Sequence, residues 1–108
     1  MQLTLLKGYP DFVGKRATFV GWGNGPAVYH QATGDVVTLP MPNYYIDALF
    51  GGVNSVSGAY FVRAQSVGVG ARQKWALFWY TAAGASVPDN SVLLAGEQIQ
   101  IGGLCGQY

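Results

Sequence analysis

The sequence predicts an all-β domain, and three observations carry that prediction. Glycine supplies 16 of the 108 residues and aromatic side chains 14%, a composition that suits short strands joined by tight turns. Apolar and polar residues alternate over residues 17–22, 59–65, 73–81 and 97–103, the period of an extended strand. The run QKWALFWYT at residues 73–81 is large and apolar on both alternating faces. It has Trp75, Leu77 and Trp79 on one side and Ala76, Phe78 and Tyr80 on the other, and reads as a central strand covered on both sides. Read as a helix, the same residues would be apolar all round over barely two turns, with Gly70 and Gly84 barring extension.

Taken in order, residues 1–7 alternate loosely and read as a first strand or as an N-terminal arm that pairs with a partner's sheet edge. The free arm, residues 1–8, is expected to swing on the loop GYPDFVG, so that deleting residues 1–6 would leave the fold intact. Residues 17–22 form a strand with Phe19 and Gly21 inward, or with Thr18, Val20 and Trp22 on the alternate face. Gly23-Asn24-Gly25-Pro26 predicts a tight turn, since Asn-Gly supplies the positive φ angles of hairpins. Residues 27–30 and 35–39 then read as a hairpin closed by residues 31–34. Pro40 and Pro42 cannot donate to a ladder, which makes residues 39–43 a crossing or edge segment.

Residues 44–50 fit two readings: Tyr44, Ile46, Ala48 and Phe50 alternate as in a strand, while Tyr45, Ala48 and Leu49 suit a short helical turn. Gly51, Gly52 and Gly58 mark a turn region, and Gly68 and Gly70 return the chain into the central strand. Residues 59–65 pair with residues 73–81 as a hairpin. Residues 82–90 form a loop around Gly84 and Pro88. The last strand, residues 97–103, turns Ile99 and Ile101 inward and Gln98 and Gln100 outward.

A chain of this length is one domain, 1–108, that buries about 65% of its unfolded surface and folds without disulfides or metal. Only 10% of its residues are charged, against about 25% in an ordinary soluble domain. The surface must therefore be covered by Gly, Ser, Thr, Asn, Gln and exposed apolar side chains, a surface suited to burial against other subunits. The net charge of +1, spread over dispersed basic residues, gives no footprint for nucleic acid or an anionic membrane. The start MQLTLLKGYP lacks the basic leader and long apolar core of a signal peptide, and the charge-free stretches are too polar for membrane helices.

No catalytic signature appears. GWGNG at residues 21–25 lacks the Lys-Ser/Thr of a phosphate loop and opens no helix, and Gly68-Val69-Gly70 has Gln73 where a third glycine would be needed. A Cys–His dyad would need Cys105, placed near a glycine-flanked terminus, to meet His30. Asp11, Asp35, Asp47, Asp89 and Glu97 are scattered, with no support for a glycosidase pair, and one His and one Cys form no metal-ligand cluster. No cofactor is called for. Trp22, Tyr29, Tyr44, Tyr45, Trp75 and Trp79 suit a stacking platform for sugars, with Asn24, Asn43 and Gln65 as hydroxyl partners. Alternatively, Trp75 and Trp79 are core and Tyr44 and Tyr45 half-buried or at an interface.

The second half, from Asp47 to Gly106, with the runs IDALFGG, GAYFVRAQ, KWALFWYTAAGASV and GEQIQIGGLCG, resembles the small capsid decoration or cement proteins of tailed bacteriophages. The first 46 residues do not share in it. The resemblance implies a jelly-roll-like β-sandwich, no enzymatic activity, synthesis in the host cytoplasm, and a place on the capsid surface of the virion. It also implies a homo-oligomer, dimer or trimer, bound to the major capsid protein or other virion subunits. Leu3, Leu5, Tyr44 and Tyr45 are the expected interface residues. A tail or head-fibre base module and a carbohydrate-binding sandwich are the alternative readings.

Overall fold

The computed structural model describes residues 1–50, 53–67 and 74–107. The readings placed on Gly51, Gly52, Gly68, Val69, Gly70 and Gln73 lie outside the described residues. Among the described residues nine strands form, in the order β1 (Thr4–Leu5), β2 (Asp11–Val13), β3 (Arg16–Asn24), β4 (Asp35–Val36), β5 (Tyr44–Leu49), β6 (Val53–Asn54), β7 (Tyr60–Val67), β8 (Lys74–Thr81) and β9 (Gln98–Gln107). They make two antiparallel sheets, and the described residues contain no helix. The first sheet runs β1-β3-β9-β5, with β2 following β1 along the same edge of β3; the second runs β4-β8-β7-β6. Residues 44–50, which fitted strand or helical turn, are strand through Leu49. They are bulged between Ile46 and Ala48, which is why simple alternation reads poorly there.

The expected hairpin of residues 59–65 and 73–81 is present as β7 with β8, from Tyr60 opposite Thr81 to Val67 opposite Lys74. The β8 strand is central, flanked by β4 and β7. Its inner face puts Leu77 and Trp79 into the core, joined by Val62 of β7. Phe19 of β3, Ile99 and Ile101 of β9 and Tyr29 and Leu94 from the loops complete the cluster. Trp75 is only partly buried against it. On the outer face of this sheet the aromatics cover one another, with Phe61 stacked on Tyr80 at 5.1 Å between ring centres. Residues 37–43 carry the chain from the second sheet back to the first, the crossing that Pro40 and Pro42 predict.

Two expectations fail at the glycine-rich GWGNG segment. No tight turn forms there, because β3 runs on through Asn24 and pairs with β9 over its whole length. No hairpin joins residues 27–30 to 35–39 either. Tyr29 bridges to Ser91 instead, and β4 pairs with β8. The glycines serve close approach rather than turning. A Cβ at Gly21 would sit 2.9 Å from the carbonyl oxygen of Thr4, and one at Gly23 would meet the Met1 side chain at 2.6 Å. What needs that space is the N-terminal segment.

That segment is not a free arm. Leu3 is 1% exposed and belongs to the core, and Leu5 is partly buried against it. While β1 pairs with β3, the preceding residues cross to the second sheet. Leu3 N–H donates to Thr38 O at 3.0 Å, and Thr38 N–H donates to Met1 O at 2.8 Å. The Met1 ammonium, itself buried, donates to Asp35 Oδ1 at 2.7 Å and to the Val36 carbonyl. Residues 1–5 thus clasp one edge of each sheet. Deleting residues 1–6 would remove a core leucine and the partner of a buried carboxylate, so it is expected to destabilise the fold, contrary to the free-arm reading.

Candidate interaction surfaces

Two of the four expected interface residues are therefore occupied internally. Leu3 is core and is not presented to a partner, and Leu5, half-buried, lies over Gly21. Tyr44 and Tyr45 are half-buried at one end of the sandwich. The Tyr44 ring packs 5.7 Å from that of Phe12, and the Tyr45 hydroxyl lies over Gly106, where a Cβ would meet it at 2.7 Å.

Instead, most of the exposed apolar side chains gather in two groups, while Tyr9 and Phe12 stand apart from both, Phe12 against Tyr44. Along β3 and β9 the inner positions are Ala17, Phe19, Gly21 and Gly23 opposite Cys105, Gly103, Ile101 and Ile99. The alternate residues, Thr18, Val20, Trp22, Gly102 and Leu104, consequently face outward. Leu49 is buried opposite Gly103, so Phe50, whose N–H donates to Gly102 O at 2.9 Å, turns to the outer face as well. With Val13 at one end and Val56 at the other, this face carries Val13, Trp22, Phe50, Val56 and Leu104, all exposed. The second group, Val28, Val92 and Leu93, sits on the loops beyond the β3–β9 end of the sandwich and is also exposed. Alternation about Phe19 and Ile101 marks Trp22 in the sequence. Nothing local marks Phe50 or Val56, which lie outside any alternating run that pairs with its neighbour.

The candidate chemistry is dispersed. Cys105 is fully buried in β9 between Ala17 and Ile46, at the start of β3, not at a flexible terminus. His30 lies beyond the other end of β3, exposed, with Nδ1 3.9 Å from Asp89 Oδ1. The dyad does not form. Asp35 is engaged by the ammonium, Asp47 by Arg16, Asp89 by the Gln31 N–H at 2.9 Å, and Glu97 by the Ser57 hydroxyl at 2.6 Å. Among the described residues, no three His, Cys, Asp or Glu side chains lie together as metal ligands would.

The aromatic set divides three ways. Trp79 and Tyr29 are core, with the Trp79 backbone N–H donating to the Tyr29 hydroxyl at 3.1 Å. Trp22 stands on the outer face. Tyr44, Tyr45 and Trp75 converge on a hollow of about 290 Å³ beneath residues 37–42, with Lys74 at its rim. The proposed hydroxyl partners Asn43 and Gln65 are exposed.

Burial raises the pKa of the Tyr29 hydroxyl above its ordinary 10.0, opposed by the hydrogen bond from Trp79. Burial likewise raises the Cys105 thiol above 9.0, helped by the charge of Asp47. In both cases the unfolded chain gives up its proton first as pH rises, so the native state then binds more protons and loses stability with further increase. Their contribution is fully present below about pH 9 and is lost as pH climbs through the raised native values. Melting temperatures between pH 7 and 11 should fall above pH 9, and the Tyr29→Phe, Cys105→Ala double variant should fall less steeply. Parallel profiles would refute the assignment.

No family model matches the chain, and neither does any curated protein or solved structure.

Proposed function

We propose that this protein is a non-enzymatic structural subunit of a virus particle, a capsid decoration or cement protein that binds the major capsid protein shell and stabilises it. One observation carries the reading. In a domain with only 10% charged residues, most of the exposed apolar side chains form two groups, one on a sheet face and one on the loops at the sandwich end. A subunit that contacts its own kind and also sits on a shell has two surfaces to bury, and scattered single apolar residues would not call for either. The chain passes between sheets four times, from β3 to β4, β4 to β5, β5 to β6 and β8 to β9. That winding supports the jelly-roll-like form of the sandwich that the family resemblance implies.

The test is co-sedimentation with preassembled capsids lacking the protein. The wild type should pellet with shells, and Leu93→Asp, altering a side chain 72% exposed, should weaken attachment at least tenfold while leaving the melting temperature unchanged. A protein that stays in the supernatant at tens of micromolar refutes shell binding. Retention by purified tails, and not heads, would select the tail or fibre-base alternative. The convergence of Tyr44, Tyr45 and Trp75 on one hollow favours a carbohydrate-binding role as the second reading, and a glycan array signal lost on Trp75→Ala would establish it.

A further inference from the structure

We propose that the outer face of the β1-β3-β9-β5 sheet is the contact between two copies of this chain, packed face to face about a two-fold axis that lies in the plane of the contact and perpendicular to the diagonal from Val13, at the β2 edge, to Val56, at the β5 edge. This deepens the assembly reading above and rests on it for the expectation that the protein self-associates.

Size is the first argument. The ten residues of β9 extend over about 33 Å, and four strand positions at about 4.8 Å spacing span about 19 Å. Side-chain relief raises the accessible area above that outline, toward the roughly 800 Å² per partner of a standard interface. A face of these dimensions is a whole interface, not a fragment of one.

Shape is the second. Val13 is 86% exposed and Val56 76%, and they project at opposite ends of the face. Each stands beside a hollow: about 270 Å³ between Val13, Arg16, Asp47 and Leu104, and about 260 Å³ between Trp22, Val56 and Gln100. Between the two ends lies Gly102, which has no side chain and leaves the middle of the face low. The stated axis exchanges the ends, laying the Val13 projection of one copy over the Trp22–Val56 hollow of the other, and the reverse.

Charge excludes an in-plane axis along the strands. On the strands of this face the charged residues Asp11, Arg16 and Asp47 are confined to one end, with Arg16 paired to Asp47. The other end presents Asn24, Gln98 and Gln100. Glu97, which adjoins it, is already bound by Ser57. An axis along the strands would oppose the Asp11 and Asp47 ends of the two copies, like charge against like. The diagonal axis exchanges the ends instead and sets charges against amides.

The experiment is light scattering with sedimentation equilibrium on the full chain at tens of micromolar. The wild type should have twice the 11.5 kDa mass of the chain. Val13→Asp and Val56→Lys, both at highly exposed positions, should each weaken dimerisation at least tenfold with unchanged circular dichroism and melting temperature. Mixed in equal amounts, V13D and V56K should restore a heterodimer, because the proposed register lays the carboxylate introduced in one copy over the ammonium introduced in the other. A monomeric wild type, or variants as dimeric as the wild type, overturns the contact; failure of the mixture to recover overturns the two-fold register. Shell co-sedimentation separates this proposal from the preceding one. A dimer that ignores shells refutes the capsid reading alone, and a shell-bound monomer refutes the dimer alone.

Discussion

Replacing Trp79 with alanine is expected to cost about 3–5 kcal/mol, a large share of the 5–15 kcal/mol that stabilises a domain of ordinary stability. Trp79 has no exposed surface and lies opposite Val62 on the central strand of its sheet. Its ring system packs nearly perpendicular to that of Tyr60 with 6.3 Å between ring centres, so truncation removes a large apolar group from a site whose strand neighbours are fixed and cannot collapse into the space. The loss is compounded at the indole nitrogen, which donates to Asp35 Oδ2 at 3.4 Å. Trp79→Phe should recover most of the packing but not that donor. Trp75→Ala, at a half-buried site, should cost no more than about 2 kcal/mol. Urea denaturation at constant m-value measures all three. A Trp79→Ala protein within 1 kcal/mol of wild type, or one less destabilised than Trp75→Ala, would refute the assignment of Trp79 as the keystone of the core.

The parts of this fold that were legible in the sequence are those where local alternation coincides with burial. In β7 and β9 one face is core and the other is not, so Val62, Ile99 and Ile101 declare their direction, whereas β8, apolar on both faces, declares only that it is central. The pairing of β7 with β8 follows because they are neighbours in the chain. The pairing of β3 with β9 does not, since no local pattern reports a partner some eighty residues away. Glycine misled for a physical reason: it serves positive φ and close backbone approach equally, and Gly21 and Gly23 have the second use. Two-residue strands such as β1, β4 and β6 are too short for any period to appear. The exposed face was hidden likewise, because Phe50 and Val56 come beside β9, and Val13 onto the same face across β3, only after the long-range pairing is made.

Asp35 was the least legible residue of all, read in the sequence as one more scattered carboxylate, and its removal is the second large effect expected. Asp35 is 5% exposed, and the Met1 ammonium that it binds is fully buried. Carboxylate and ammonium have each given up water, and what offsets that loss is their attraction at 2.7 Å together with the bonds from the indole and to the Val36 carbonyl. Asp35→Ala removes one ion and leaves the other buried without a counter-charge, a change that costs about 3–5 kcal/mol. Asp35→Asn retains the shape and an acceptor for the ammonium while removing the charge, so its cost should be smaller, about 1–3 kcal/mol. The damage has a place as well as a size. With the ammonium released, the exchange of hydrogen bonds between Met1, Leu3 and Thr38 should open first, and amide exchange at Leu3 and Thr38 should quicken by more than that at Ile101 in the centre of β9. An Asp35→Ala protein as stable as wild type, or one whose Leu3 and Thr38 amides stay as protected as before, would show that residues 1–5 are held by packing alone and not by the buried ion pair.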